Sequence, residues 1–434
     1  METFNKTFRL FLRNFLTKKL DNVSRQMSSS TELIAKEKRY NANNYAPLPV
    51  VISRGQGAYM WDVDGKKYID FLAAFATLNL GHAHPKVLNV LIEQAKVLSH
   101  TSRAVHNDVL PQFAEYVTKY FNYDRVLAMN TGVEGAETSL KIARRWGYRK
   151  KNIPENQAVV VFVEKNFWGR TLSAISTSNN PVAHDHYGPY MPGFQIIPYN
   201  DVDSLEAALK NPNVCAFMVE PIQGEAGVIV PNDGYLKEVR RLCTKYNVLW
   251  IADEIQTGLG RTGSLLAVDY ENVKPDILII GKGLGGGFIP ISGVLSSDEI
   301  MSVLTPGSHG STFGGNPLAA KLAIATLEVI KEEGVVENSR VLGEKFRKEL
   351  RNQLAEDVIP IVRGKGLMNA ITVNPRYGSA LDLCLIMMDL GLITKPCDDS
   401  TVRLTPPLIM TETDINKGIE ITVKAVDRLK QNAK

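Results

Sequence analysis

Four short apolar runs in the middle of the chain restrict its architecture more than any other feature. Val159-Val160-Val161-Phe162-Val163, Ala216-Phe217-Met218-Val219, Val248-Leu249-Trp250-Ile251-Ala252 and Ile277-Leu278-Ile279-Ile280 are each bounded by polar or turn residues. A strand that is apolar at every position is buried on both faces, and that is the condition of a parallel sheet covered on both sides. Between the second and third runs, Leu236, Val239, Leu242 with Cys243, and Tyr246 keep helical spacing, so the pattern reads strand, helix, strand. The class is therefore α/β. After Gly315 the pattern changes: Asn316-Pro317 opens a long helix ending near Gly334, a second helix occupies about residues 338–355, and the rest mixes short strands with helices. The expected organisation is a large domain over 81–322 with a mostly parallel sheet, a smaller α+β domain over 323–434, and a segment 29–80 that joins the smaller domain.

Charge locates what precedes that body. Residues 1–26 hold six basic side chains (Lys6, Arg9, Arg13, Lys18, Lys19, Arg25) against Glu2 and Asp21, which accounts for the whole net charge of +4; the remainder balances. A nucleic-acid binder carries its basic excess on the folded domain, so that class is excluded. In the same segment Phe4, Phe8, Phe11 and Phe15 form one helical stripe. Amphipathic, basic and acid-poor is the composition of a mitochondrial presequence, assigned to residues 1–28 with a matrix location. The other reading is an amphipathic helix docked on the body, and Met27 offers a start for a cytoplasmic form. No stretch approaches the ~18 consecutive apolar residues of a spanning helix. Cys215, Cys243, Cys384 and Cys397 lack CxxC or metal-ligand spacing and read as thiols.

In an open parallel sheet, ligands bind beyond the carboxyl ends of the strands. Those ends carry Glu164, then Glu220, then Asp253 and Glu254, then Lys282. Any one of them alone, Glu164 and Lys282 in particular, reads as a solvated loop charge. Asp253 and Lys282 together suit pyridoxal phosphate, which needs an amine for a Schiff base and a carboxylate to keep its ring nitrogen protonated. It also needs a phosphate site. Thr131-Gly132-Val133-Glu134-Gly135 leads into a helical stretch with Leu140, Ile142 and Ala143, and a helix N-terminus offers free backbone N–H groups to a phosphate.

Two rivals fail on context. Gly281-Lys282-Gly283-Leu284-Gly285-Gly286 satisfies the dinucleotide fingerprint after a strand, yet Gly287–Ser292 is short and contains Pro290, and no acidic residue ends a second strand at the required distance. A P-loop would need Ser or Thr after the lysine. His82 with His84, and His184 with His186, lack a third metal ligand nearby; the first pair reads as a turn into a helix starting at Pro85. The run Leu385–Met388 reads as helix core.

LWIADEIQTGLGRTG (249–263) followed by PDILIIGKGLGGG (275–287) resembles the class III aminotransferases of pyridoxal-phosphate fold type I. NYAPLPV (44–50), GHAHP (81–85), MNTGVEGAET (129–138), NFWGRTLSAIS (166–176), MVEPIQGEAGV (218–228), GSTFGGNPLAA (310–320), RGKGL (363–367) and VRLTPPL (402–408) are similar to one branch, the ornithine δ-aminotransferases. The likeness runs from about residue 35 to the C-terminus. It implies transfer of the δ-amino group of ornithine to 2-oxoglutarate, giving glutamate 5-semialdehyde and glutamate.

The resemblance also implies roles. Lys282 carries the cofactor as a Schiff base and moves the proton, Asp253 pairs with the ring nitrogen, Gln256 reaches the ring oxygen, and Phe167 stacks on the ring. Gly132 and Val133 bind the phosphate through backbone N–H groups, and Thr312 reaches it from the other subunit of a homodimer, with sites at the interface. Tyr45 and Arg170 hold ornithine, Arg403 holds the α-carboxylate of 2-oxoglutarate, and Glu225 neutralises Arg403 while ornithine is bound; the alternative for Glu225 and Arg403 is a structural ion pair. Phe75 stands where this branch carries a substrate-pocket tyrosine, and losing that hydroxyl is worth about 1 kcal/mol. Gly283 and Gly285 stand where the branch has alanine and serine, as in acetylornithine aminotransferases. Those departures keep a second reading open, a related enzyme using N-acetylornithine or 4-aminobutyrate, and a third is a catalytically silent homologue acting as a scaffold.

Overall fold

The computed structural model describes residues 29–433; the basic, phenylalanine-striped segment read as a presequence lies outside the described residues. Contacts divide the chain into two compact units. The first comprises the described residues up to Arg54 together with Trp61–Lys67. Its helix Ser30–Tyr40 begins where the Ser29 side chain accepts a hydrogen bond from the Glu32 N–H. Glu32 in the first turn and Lys38 and Arg39 in the last suit the helix dipole. The Ser30 hydroxyl donates to Asp64 at 2.7 Å.

The second unit comprises Gly55–Met60 and the chain from Tyr68 onward. Strands β1 (Ile52–Gln56), β2 (Tyr59–Asp62) and β3 (Lys67–Asp70) lie where the chain passes between the two units. The second unit is organised on seven strands: β4 (Arg125–Met129), β5 (Val159–Val163), β6 (Phe194–Ile197), β7 (Val214–Val219), β8 (Leu249–Asp253), β9 (Ile277–Ile280) and β10 (Ser292–Ser296). Their order is β4-β10-β9-β8-β7-β5-β6, and β10 alone runs antiparallel to its neighbours. All four apolar runs are strands, and β7, β8 and β9 are buried at every residue. Apolar side chains on both faces require cover on both faces. One layer includes the helix Gly132–Arg149, whose Ala136, Leu140, Ile142, Ala143 and Trp146 join Val160, Phe162, Ile251, Ile277 and Ile279 in one core. The helix Tyr235–Lys245 buries Leu236, Val239, Leu242 and Cys243, the spacing read from the sequence. Each such fully buried aliphatic side chain contributes about 1.5–3 kcal/mol.

Past Asn316, whose side chain caps the helix Pro317–Glu332, the architecture changes to the expected α+β type. Strands β11 (Ile361–Lys365), β12 (Met368–Thr372), β14 (Lys395–Pro396) and β15 (Thr401–Leu404) form an antiparallel sheet in the order β11-β12-β15-β14. Helices Val335–Gln353, Ala380–Asp389 and Glu412–Asn432 belong to the same region, and Ile386 and Met387 are buried as expected of core. The short β13 (Leu392–Ile393) pairs in parallel with Ile69 and Asp70 of β3. GHAHP is a turn into the helix Pro85–Val97, with His82 and His84 facing Asp70 and Glu333. The cysteines are free thiols. Among the described residues, no helix is long and apolar enough to cross a membrane.

Candidate active site

Register brings the strand-end charges together. Val219 of β7 pairs with Ala252 of β8, and Asp253 pairs with Ile279 of β9. Glu220, Asp253 and Lys282 therefore leave three adjacent parallel strands on one rim. With Gly132, Val133, Phe167, Trp168, Gly169, Ile255 and Gln256 they line a cleft of about 220 Å³. Glu164, at the end of β5, is exposed, in keeping with a solvated loop charge.

Electrostatics separates the three rim charges. Burial lowers the pKa of Lys282, with Glu225 the largest opposing influence. Its ammonium has no hydrogen-bond or ion-pair partner among the described residues. Burial raises Asp253 to about 6, opposed by the Ile255 N–H that donates to its Oδ1 at 3.0 Å and by Lys282. Burial, with Asp253 adding to it, raises Glu220 to about 8. Near neutral pH the pair thus presents a single negative charge, on Asp253, while Glu220 keeps its proton. Such a rim offers one carboxylate and one readily deprotonated amine to a ligand between them.

The phosphate-type feature is also present. The helix Gly132–Arg149 starts at a capping box, with the Thr131 hydroxyl accepting from the Glu134 N–H and Glu134 accepting from Thr131 N–H. The amides of Gly132 and Val133, in the first turn, have no intrahelical acceptor and line the cleft. Lys282 itself sits at φ +42, a left-handed conformation that costs a non-glycine residue about 1–2 kcal/mol. Strain of this kind persists where surrounding structure over-determines the backbone.

A second concavity, about 320 Å³, adjoins the first and shares Phe167, Trp168 and Gly169 with it; Arg170, Glu225 and Cys397 line it as well. The Arg170 guanidinium lies 5.5 Å from the Phe167 ring centre. Arg403, on β15 and 1% exposed, bonds Glu225 Oε1 at 2.8 Å and Gln256 Oε1 at 3.4 Å. Burial is the largest influence and works against its charge, but Glu225, Cys397 and Glu220 together outweigh it and the Arg403 pKa is raised. Burial likewise opposes ionisation of Glu225, yet Arg403 brings its pKa below the usual value. Among the described residues, the Arg403 Nε is buried without a partner. Phe75 lies with its ring centre 5.1 Å from that guanidinium.

Of the residues read from the sequence, Lys282, Asp253, Gln256, Phe167, Gly132 and Val133 share one cleft, and Arg170, Glu225, Arg403 and Phe75 are tied to it or to one another. Thr312 is not brought in: it is exposed and lies outside the cleft lining of this chain. Tyr45 is 72% exposed and belongs to the first unit. Gln256 is bonded to Glu225 at 3.3 Å, so its side chain points toward the ion pair.

Sequence reading did not select two residues that shape the site, Glu220 and Gly224, and it selected Phe75 without its backbone conformation. Glu220 accepts hydrogen bonds from the N–H groups of Phe167 at 3.1 Å and Gly224 at 3.0 Å, and so fixes the aromatic wall; its strand-end position was the available signal. Gly224 gives the Gln256 side chain its room: a Cβ there would come within 1.9 Å of Gln256 Oε1 and push that side chain aside. Phe75 occupies a run of left-handed residues, Ala73 to Ala76, at φ +46, +47, +60 and +63. No residue type in FLAAFATL announces that conformation.

This geometry has close counterparts. The mitochondrial ornithine aminotransferase of Drosophila melanogaster is 55% identical over 399 residues, covering 92% of each chain. The structure of the ornithine aminotransferase of Toxoplasma gondii, which has PLP at partial occupancy at its active site, superposes with a TM-score of 0.93 at 44% identity, covering 96% of this chain and 98% of that one. An acetylornithine aminotransferase from Elizabethkingia anophelis superposes with a TM-score of 0.85 at 45% identity, covering 92% and 100%. The fold is that of the fold type I aminotransferases. The model of the family "Aminotransferase class-III" matches residues 40–426, and the chain belongs to that family of pyridoxal-phosphate enzymes.

Proposed function

We propose that this chain transfers the δ-amino group of L-ornithine to 2-oxoglutarate, giving glutamate 5-semialdehyde and glutamate, with pyridoxal 5'-phosphate in the Lys282 cleft. The observation that carries the reading is the Arg403–Glu225 pair beside the Lys282–Asp253 rim. A two-substrate transfer at one site needs a carboxylate anchor that can be switched off, and a buried arginine with a 29%-exposed glutamate partner is such an anchor. Relatives named ornithine aminotransferase support the substrate.

The residues fit the cofactor. An unpartnered amine, a buried carboxylate with its Oδ1 alone hydrogen-bonded, an aromatic wall and a helix N-terminus are the donor set that pyridoxal phosphate demands. When bound, that group supplies an electron-withdrawing ring that stabilises a carbanion at the substrate carbon. Lys282 would hold it covalently, and its lowered pKa suits the amine to take a proton from that carbon and return it. Asp253, in its ionised form, would keep the ring nitrogen protonated. Gly132 and Val133 would hold the phosphate, Phe167 would cover the ring, and Gln256 would turn from Glu225 toward the ring oxygen. Arg170 and Tyr45 would hold the α-end of ornithine and leave the δ-amine to react. Arg403 would take 2-oxoglutarate once Glu225 swings away.

Thr312, exposed in its own chain, suits a role across a homodimer interface, with Thr312 of the partner subunit completing the phosphate site. The Drosophila and rat relatives are named mitochondrial, and we place this enzyme in the matrix with residues 1–28 as presequence. The test is a half-reaction: ornithine, N-acetylornithine or 4-aminobutyrate is added to the cofactor-loaded protein and conversion of the pyridoxal spectrum to the pyridoxamine spectrum is followed. Ornithine is expected to convert it. Conversion by N-acetylornithine alone would transfer the assignment to the acetylornithine enzymes.

A further inference from the structure

Four consecutive left-handed residues without glycine are an unfavourable arrangement for L-amino acids, and Ala73-Ala74-Phe75-Ala76 adopts it in full. Ala73 and Ala76 are buried while Ala74 between them is exposed, so the turn is anchored at its two ends. Its entry is held by one side chain. Asp70, 1% exposed, accepts at Oδ1 from the Leu72 N–H at 2.9 Å and the Ala73 N–H at 2.7 Å. Its other oxygen, Oδ2, lies 2.9 Å from His82 Nε2. Facing a carboxylate, that nitrogen must carry the proton and donate.

His82 is itself fixed. Its backbone exchanges two hydrogen bonds with Gly57, at 2.9 and 2.8 Å, and its ring fills space above Gly55, where a Cβ would come within 2.5 Å of Nδ1. On the other side, Thr405 N–H donates to Phe71 O at 2.8 Å and the Thr405 hydroxyl to Leu72 O at 3.1 Å. Thr405 lies two residues beyond Arg403 along the same chain. The turn is therefore clamped between a histidine–aspartate pair and Thr405, the residue just past the strand that carries Arg403, and it sets the Phe75 ring beside that arginine.

We propose that Asp70 and His82 are positioning residues for the diacid-binding part of the reaction: they hold the left-handed turn that sets the Phe75 ring against Arg403. This rests on the proposed role of Arg403 as the carboxylate anchor. Neither residue touches substrate. Their effect passes through the backbone of residues 72–76 to Phe75, and so to the arginine.

The test uses the full-length, cofactor-loaded protein and two readouts. Binding of glutarate, an unreactive diacid, is titrated by calorimetry, and the ornithine half-reaction is followed by absorbance. His82→Ala is expected to weaken glutarate binding by about tenfold, a larger loss than it causes in the ornithine half-reaction. His82→Gln retains an N–H donor and is expected to keep most of the affinity. Ala74→Gly in the His82→Ala background removes left-handed strain at φ +47 and is expected to restore part of it. Glutarate binding unchanged in His82→Ala overturns the proposal; so does an equal loss in both readouts with a lowered Tm in both His82 variants, or a failure of glycine to restore any affinity. If wild type and Arg403→Ala bind glutarate equally, the carboxylate-anchor reading fails instead.

Discussion

The two ends of the candidate site are built in opposite ways. At the cofactor end, Glu220, Asp253 and Lys282 follow three neighbouring strands of one sheet, and the hydrogen-bond register sets their relation. At the substrate end, Arg403 comes from β15 of another sheet, Glu225 from the loop after β7, Phe75 from a strained turn and Arg170 from the loop after β5. The first end is rigid because it is the edge of a core. The second is a set of polar contacts between elements far apart in sequence, each of which is replaceable singly. Chemistry shared by a whole family suits the first construction, and substrate choice suits the second.

The largest effect should come from the cofactor end. Lys282→Ala is expected to abolish the covalent cofactor absorbance and to lower turnover by ~10⁴-fold, the upper range for removing a positioned acid–base group. Turnover within tenfold of wild type would show that the amine at the strand end is not the reacting group. At the substrate end, Arg403→Ala should act selectively. It removes the anchor and leaves Glu225 without its cation, a loss of about 2–5 kcal/mol when a buried charge pair is cut. The 2-oxoglutarate half-reaction should fall accordingly, while the ornithine half-reaction, in which Glu225 already masks the arginine, should change far less. Equal losses in both would mean that the pair is structural, and the contrast between the two ends would disappear.

The same contrast explains what was legible in the sequence. The sheet was readable because Ile277–Ile280 and its sister runs are apolar at every position, and strand ends mark where ligands sit. Asp253 and Lys282 were thereby placed by pattern. Arg403 was not: in VRLTPPL nothing local distinguishes an anchor from a structural ion pair, and only resemblance singled it out. The left-handed turn at Ala73–Ala76 was invisible because its cause, the Asp70 carboxylate, lies outside it and acts through tertiary contacts. Glu220 stood at a strand end like Asp253, yet its partners are backbone N–H groups of residues 167 and 224, which no spacing rule connects.

Glu220 offers a stability test that belongs to the rigid end. Its folded pKa of about 8 exceeds the ordinary 4.5, with burial as the main cause and Asp253 second. A group of this sign contributes stability fully below its unfolded pKa and loses it as pH rises through the folded one. Between pH 5 and 9, the cofactor-free protein should therefore lose stability relative to Glu220→Gln, by an amount on the order of a few kcal/mol. The difference in Tm between the two proteins, followed across that range, checks the sign. Parallel curves would mean that Glu220 ionises freely and does not leave Asp253 as the lone charge.

The smallest effects are expected in the glycine run itself, and they separate the two ends within four residues. A Cβ at Gly285 would meet nothing nearer than Ile291 at 3.7 Å, which is ordinary contact. Gly285→Ser, the residue of the ornithine branch, adds its Cβ at a buried position without a clash and should cost no more than about 1 kcal/mol, read as a small shift in Tm. Gly283 differs: a Cβ there would lie 2.7 Å from Asn79 Nδ2. Asn79 is held in turn, donating to Leu259 O at 3.2 Å and accepting from the buried Arg261 at 2.7 Å. Gly283→Ala thus requires Asn79 to move within a network that packs against the residue after Lys282. It should cost about 1–3 kcal/mol as an overpacking substitution, measured by denaturant midpoint, and leave the preference between ornithine and N-acetylornithine unchanged. A change in that preference from either glycine substitution would place substrate choice on the strand-end rim and remove the division of labour between the two ends.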